Sequence, residues 1–312
     1  MHEGRLRALA AARERLGATA PNPPVGAAVF SAEGEVLGIG AHLGAGRPHA
    51  EIEALRACGE TLGRAHSMFV TLEPCNHQGQ TPPCTAALLQ AGVRTVWIGA
   101  LDPNPNVRGG GGAALRQAGV DVRLLSESAL SDERGLALHC EDLIAPYTHW
   151  LRTGRPYVTL KRVFDAAGRM EPPPGRKTFS SHRLLEYAHH LRRESDAVLT
   201  GSGTVLADRP EFTVRHVLDF RTAPRRLSIC DRRGRVDAAY LAAAAERGLL
   251  PRIVSDVEAE LDALGAEGVH QLLAEAGPAL TDHMIAYGLW DRLVTIRQFS
   301  PQEEQVTVER PV

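Results

Sequence analysis

The sequence predicts two successive α/β domains, and three observations carry that expectation. A chain of 312 residues is long enough for two domains of ordinary size, each with its own core. Short apolar runs with strand composition alternate with helix-like stretches along most of the chain, a pattern that builds sheets covered by helices. The alternation breaks near residues 140–156, where Thr153-Gly154-Arg155-Pro156 reads as a connection. The expected domains are residues 1–146 and 153–312.

In chain order, residues 3–16 place Leu6, Leu9, Ala10 and Leu16 between arginines, an amphipathic helix that Gly17 ends. Pro21-Asn22-Pro23-Pro24 is a turn, because its prolines have no N–H to give a ladder. Residues 25–30 and 36–39 read as strands of a hairpin through Ala32-Glu33-Gly34-Glu35. A helix follows over 50–62, a strand over 68–72, a helix over 84–92 and a strand over 95–100. Residues 113–118 and 120–125 add a helix and a strand, giving a three-layer domain with a mainly parallel sheet. In the second half, strands are expected at 157–163, 197–200, 226–229, 252–255, 269–274 and 293–296. Helices are expected at 181–194, 258–264 and 279–288, so this domain reads as doubly wound.

Composition narrows the function. The formal net charge of −2 supplies no field to draw in nucleic acid or an anionic membrane, so neither is an expected partner. No apolar run approaches 18 residues, so no membrane span is expected. Arg5, Arg7, Arg13, Glu14 and Arg15 interrupt any secretory apolar core at the start. Five cysteines, an odd number, do not form a disulfide framework, and a reducing cytoplasm is the expected compartment. Homo-oligomerisation is left open.

The chemistry is concentrated in His49-Ala50-Glu51, Pro74-Cys75 and Cys84. One imidazole and two thiols are the ligands a catalytic zinc (Zn2+) uses, with the fourth tetrahedral position kept for water. Glu51, two residues past the histidine, is placed to exchange protons with that water without ligating the metal. Zinc deaminases combine a His or Cys ligand, a nearby non-ligand Glu, then Pro-Cys and a second Cys. Eight residues separate Cys75 and Cys84, where nucleobase deaminases usually have two. His77 lies between the cysteines but is not needed as a ligand, and it is expected to face substrate, as is His42 just past a strand end. Cys58, Cys140 and Cys230 read as small core residues, and Gly109–Gly112 as a flexible turn, since no Gly-Lys-Ser/Thr follows.

Longer stretches resemble a known family. Pro21-Asn22-Pro23-Pro24-Val25-Gly26, Pro48-His49-Ala50-Glu51, Thr71-Leu72-Glu73-Pro74-Cys75, Thr81-Pro82-Pro83-Cys84 and Leu101-Asp102-Pro103-Asn104-Pro105 closely resemble the bifunctional deaminase/reductase family of riboflavin biosynthesis. Arg152 to Tyr157, Gly203 to Asp208 and Glu275-Ala276-Gly277-Pro278 continue the match. The eight-residue gap between the cysteines is what that family has.

The resemblance implies a cytidine-deaminase-like first domain and a dihydrofolate-reductase-like second domain. They would act in turn on a phosphoribosyl-aminopyrimidine: hydrolysis of a ring amino group, then NADPH reduction of the ribosyl to a ribityl chain. It implies zinc at His49, Cys75 and Cys84, proton transfer by Glu51, and pyrimidine contacts from Asn22, Asp102 and Asn104. In the second domain it implies substrate contacts at Arg192, Arg215 and Glu275, and cofactor contacts at Lys161, Val163, Thr204 and Asp208.

The second domain also departs from the family. Ala167 stands at a usual Asp, Arg209 at the second Asp of Ala-Asp-Asp-Pro, and Arg232 where Ser usually follows Asp231. Arg176-Lys177-Thr178-Phe179-Ser180 replaces a segment whose Trp packs on the cofactor. Two other functions fit the same residues: a deaminase alone, with a degenerate or repurposed second domain, and a nucleoside- or tRNA-type zinc deaminase. Glu51 argues against a purely structural zinc, which needs no adjacent acid.

Overall fold

A computed structural model describes residues 1–76, 82–105, 108–170, 181–300 and 303–311. The chain divides into two compact units, Met1–Leu151 and Arg152–Val312.

The first unit contains α1 (His2–Arg13), β1 (Gly26–Phe30), β2 (Val36–Ala41), α2 (Ala50–Ala57), β3 (Ser67–Leu72), α3 (Cys84–Gln90), β4 (Thr95–Ala100), α4 (Gly110–Gln117) and β5 (Asp121–Leu124). Most of α5 (Ser131–Thr153) also belongs to it. The five strands lie in the order β2-β1-β3-β4-β5. β3, β4 and β5 run parallel. β1 is antiparallel to both its neighbours and runs against the other four strands, which share one direction. The short connection at 31–35 permits no other pairing for β1 and β2.

Both faces of this sheet are covered, and β3 shows how. Met68 and Val70 join Ala50, Ala54, Leu88 and Leu115 of α2, α3 and α4 in one core. Phe69, between them, joins Ala8, Leu9, Leu136 and Cys140 of α1 and α5 in the other. Successive strand side chains point to opposite faces, so a strand buried on both sides reads as an unbroken apolar run. Small residues let α2 come close: a methyl group on Gly40 would lie 2.2 Å from the Ala54 nitrogen.

The second unit contains β6 (Tyr157–Phe164), α6 (His182–Glu194), β7 (Ala197–Gly201), α7 (Ser202–Asp208), β8 (Arg225–Cys230), α8 (Ala238–Glu246) and β9 (Leu249–Val254). It continues with α9 (Val257–Ala266), β10 (Gln271–Glu275), α10 (Pro278–Ala286), β11 (Arg292–Gln298) and β12 (Glu304–Glu309). The seven strands lie in the order β12-β11-β6-β10-β7-β8-β9, with only β12 antiparallel to its neighbour. Leu272 and Ala274 pack with α9 and α10, while Leu273 packs with Leu184 and Leu191 of α6 on the opposite face. The sheet is doubly wound.

Four elements escape the sequence pattern. Pro146 sits inside α5 and reads as a breaker, yet the helix runs on to Thr153, past the expected domain end at 146. α7 starts in Ser-Gly-Thr, which reads as a loop. α8 is mostly alanine and offers little contrast between faces. β12 has only half-buried and exposed positions at the sheet edge, with too little apolar content to stand out.

Candidate functional site

In the first unit, three elements bring their ends to one point. His49 is the N-cap residue of α2 and Glu51 lies in its first turn. β3 ends at Leu72 and delivers Glu73, Pro74 and Cys75. Cys84 opens α3 behind Pro83, whose fixed φ suits the N-cap position it holds. The Nδ1 of His49 lies 3.3 Å from the Cys84 Sγ and 3.6 Å from the Cys75 Sγ. A tetrahedron with Zn–S near 2.3 Å and Zn–N near 2.0 Å has edges of roughly 3.5–3.8 Å, so the spacing of the donors fits zinc. His49, Cys75 and Cys84 are the one cluster of this kind among the described residues, their ligand atoms all within 4.8 Å.

The electrostatics suit a cation as well. The Cys84 thiol, the His49 ring and the Cys84 N–H at 3.3 Å all act on the Cys75 sulfur, pulling its thiol down to about 4 and favouring the thiolate a metal needs. Cys84 moves the opposite way: it shares its proton with Cys75 and is buried. Glu51 is only 3% exposed, and that burial pushes its carboxyl up to about 7. A carboxyl poised there can both take and give a proton near neutral pH.

Around this centre, Asn22 and His42 form a pair. The Asn22 Nδ2 lies 3.1 Å from the His42 Nε2, and the His42 Nδ1 lies 3.0 Å from the Pro48 carbonyl. A carbonyl only accepts, so Nδ1 carries the hydrogen and Nε2 accepts from Asn22. Burial lowers the His42 pKa and keeps the ring neutral. Both ring nitrogens are thereby engaged by protein, and His42 holds Asn22 in place. Asp102 and Asn104 make a tight turn, the Asn104 N–H donating to the Asp102 carboxylate at 2.9 Å. Tyr147 of α5 backs that turn, its phenol raised first by burial and then by Asp102. No local spacing in the sequence points to Tyr147. His77 lies outside the described residues.

The glycine run differs from expectation. Gly109 adopts a left-handed conformation and Gly110–Gly112 are the first turn of α4, so the run is a helix start rather than a flexible turn. The Glu73 carboxylate accepts the N–H of Gly109 at 2.8 Å and of Gly112 at 2.9 Å. Glu73 is therefore committed to α4.

In the second unit, Lys161, inside β6, pairs in register with Glu275, the last residue of β10. Lys161 Nζ lies 3.1 Å from Glu275, and Arg192, from the last turn of α6, grips the same carboxylate at 2.6 and 2.7 Å. All three are nearly buried. The two cations hold the Glu275 carboxyl far below the usual carboxylate range despite its burial. Arg192 also donates to the Thr213 carbonyl, so its guanidinium is engaged by protein. Val163 lies on β6, paired with Ile296 of β11. Thr204 in α7 faces Gly277 at the start of α10. Asp208 ends α7, and Arg215 is exposed, pairing with Glu211 while its N–H donates to His189.

A cleft of about 470 Å³ opens at the carboxyl ends of β7 and β8, lined in part by Ser202, Cys230, Arg232, Arg233, Arg235 and His283. Ligands of doubly wound sheets bind at the carboxyl ends of the strands. Arg232 therefore lies at a cleft of positive charge, whereas Arg209 is turned away in an ion pair with Asp237 at 2.8 Å. Arg176 and Lys177 lie outside the described residues. Among the described residues no helix is long and apolar enough to cross a membrane.

The family profile of the cytidine and deoxycytidylate deaminase zinc-binding region matches residues 2–100, and that of the RibD C-terminal domain matches residues 156–297. Riboflavin biosynthesis protein RibD of Corynebacterium ammoniagenes is 36% identical over 290 residues, 92% of this chain and 82% of that protein. RibD of Aquifex aeolicus is 42% identical over 211 residues, 67% of this chain. The chain spans about half the length of several such relatives, 56% for Aquifex aeolicus and 54% for Escherichia coli. The solved structure of Acinetobacter baumannii RibD superposes with a TM-score of 0.76 at 30% identity, covering 95% of this chain and 86% of that one. A Thermotoga maritima diaminohydroxyphosphoribosylaminopyrimidine deaminase/5-amino-6-(5-phosphoribosylamino)uracil reductase gives 0.79 at 28% identity, covering 96% and 86%. Fold and site together define a two-part protein: a zinc-deaminase unit followed in the same chain by a reductase-type α/β unit. The chain belongs to the RibD family of riboflavin-biosynthesis proteins.

Proposed function

We propose that this chain carries out two consecutive steps of riboflavin biosynthesis. The first unit hydrolyses the 2-amino group of 2,5-diamino-6-(5-phosphoribosylamino)pyrimidin-4-one, and the second reduces the ribosyl group of the product to ribityl with NADPH. The observation that carries the first step is the convergence of His49, Cys75 and Cys84 beside buried Glu51.

His49, Cys75 and Cys84 would hold the zinc, which supplies an activated water as nucleophile at neutral pH. Glu51 would take a proton from the attacking water and hand it to the adjacent ring nitrogen. It would then pass the remaining hydroxyl proton to the amino group, which leaves as ammonia while the carbonyl forms. Burial suits Glu51 to both directions of transfer. Asn22, held by His42, and the Asp102–Asn104 turn would orient the pyrimidine.

In the second unit Lys161, Arg192 and Glu275 form a charged floor beside the carboxyl end of β10. The phosphate-rich end of NADPH would occupy the arginine-lined cleft beside Ser202. Guanidinium groups bind phosphate as paired donors, so a 2′-phosphate is favoured there. Thr204, Val163 and Asp208 are the further cofactor contacts of this proposal. Its setting is a reducing cytoplasm, where Cys75 and Cys84 stay reduced and available to a metal.

The test incubates the zinc-loaded protein with the diaminopyrimidine ribotide, with and without NADPH, and weighs the products by mass spectrometry. The expected result is a product heavier by one mass unit (NH replaced by O) without NADPH, and a further gain of two hydrogens with it. No mass change without NADPH refutes the first step. The first change alone leaves a deaminase.

A further inference from the structure

Two features have no part in that chemistry: the buried carboxylate of Glu73 and the glycine run at 109–112. They meet. Glu73 is 6% exposed, follows β3, and stands two residues ahead of Cys75. Its two oxygens accept the Gly109 and Gly112 N–H groups at 2.8 and 2.9 Å. One carboxylate thus satisfies donors that a helix start leaves without intrahelical partners, and its charge lies at the positive end of α4. Its own N–H donates to the Ala100 carbonyl at the end of β4, at 2.9 Å.

The docking is close as well as polar. A methyl group on Gly111 would lie 1.8 Å from the Pro74 carbonyl oxygen, so only glycine lets α4 sit against the peptide that leads into Cys75. A methyl group on Gly110 would meet nothing within 4 Å. The segment from β4 to α4 carries Asp102 and Asn104, so the same contact ties down the far end of that loop.

We infer that Glu73 is a positioning residue of the deaminase site. It clamps the start of α4 onto the Glu73–Cys75 turn and so sets both the direction of the Cys75 sulfur and the place of the Asp102–Asn104 turn. The inference rests on the zinc-deaminase reading of the first unit. Groups that orient metal ligands from behind typically cost 10–100-fold in metal affinity or activity when replaced.

The experiment compares Glu73→Gln, Gly111→Ala, Gly110→Ala and Glu133→Gln with the parent protein. The glutamine amide of Glu73→Gln keeps one acceptor oxygen but turns an NH2 toward a helix N–H. Glu133 pairs with Arg5 at 2.5 Å and serves as a stability control remote from the ligands. Three readouts are followed: the visible spectrum of the cobalt-substituted protein, the rate of metal release to a chelator, and amide exchange of Gly109 and Gly112 in metal-free protein. Glu73→Gln is expected to shift the cobalt–thiolate bands, to release metal about ten-fold faster or more, and to expose both amides to exchange. Its deamination should show a lower kcat together with a raised KM. Gly111→Ala should reproduce the spectral shift, while Gly110→Ala and Glu133→Gln keep the parent spectrum.

A Glu73→Gln protein with the parent spectrum and release rate overturns the inference and leaves the metal centre standing. So does a spectral shift shared equally by Glu133→Gln. A parent protein that takes up no cobalt or zinc overturns the metal centre itself, and this inference with it.

Discussion

The zinc centre and the Lys161–Glu275–Arg192 cluster are both knots of buried polar groups, and they are built on opposite plans. The first unit gathers three donors whose lone pairs converge within 4.8 Å, an arrangement that a cation completes. The second unit gathers two cations around one carboxylate, with contacts of 2.6–3.1 Å that complete themselves. At Glu51 burial outweighs the pull of His49 and raises the carboxyl, whereas Glu275 is lowered because its two cations outweigh burial. The same carboxyl group is thus pushed in opposite directions in the two units.

Breaking the first knot should have the largest effect. Cys75→Ser removes a thiolate ligand, and metal analysis should find the zinc lost and deamination abolished. Equal zinc in parent and variant would dissolve the contrast. Glu51→Gln tests the proton rather than the ligands. It should keep its zinc and lose deamination by about 10²–10⁴-fold, read as ammonia release. Glu73 is not a substitute base, because its carboxylate is committed to Gly109 and Gly112.

The second knot should respond in stability. Glu275→Gln leaves Lys161 and Arg192 buried without their counter-charge, a change that costs about 3–5 kcal/mol, measured by denaturant unfolding of the full chain. The pH dependence has a definite sign. The folded Glu275 stays ionised well below its ordinary 4.5, while in the unfolded chain it takes up a proton below that value. Its stabilisation is complete above pH 4.5 and is lost as pH falls below it. Glu275→Gln should therefore flatten the acid limb of the stability curve, and an unchanged limb would show that the pairing contributes nothing.

The smallest effect belongs to the cleft. Replacing Arg233 or Arg235 by alanine should weaken NADPH binding by about 10- to 100-fold, the loss of one charge-assisted contact, and change NADH binding far less. Calorimetric titration with both cofactors reads this directly. An equal loss for both would move the 2′-phosphate elsewhere.

How much of this the sequence determined by itself depends on the range of the interaction. The convergence of His49, Cys75 and Cys84 beside Glu51 was legible because a donor set suited to zinc has few members and because strand ends and helix starts carry local signatures. The three layers of the first unit were legible from apolar runs such as 68–72, and the doubly wound second unit from its strand–helix alternation. Tertiary structure alone decided the rest. Glu73 meets Gly109 across 36 residues and Arg192 meets Glu275 across 83, and each pairing depends on how distant strands and helices come together. That His42 binds Asn22 and the Pro48 carbonyl through its two ring nitrogens was likewise visible only in the folded chain. A side chain's type sets what it is able to do, but which of those things it does depends on the partners folding places within hydrogen-bonding distance, and local spacing does not encode them.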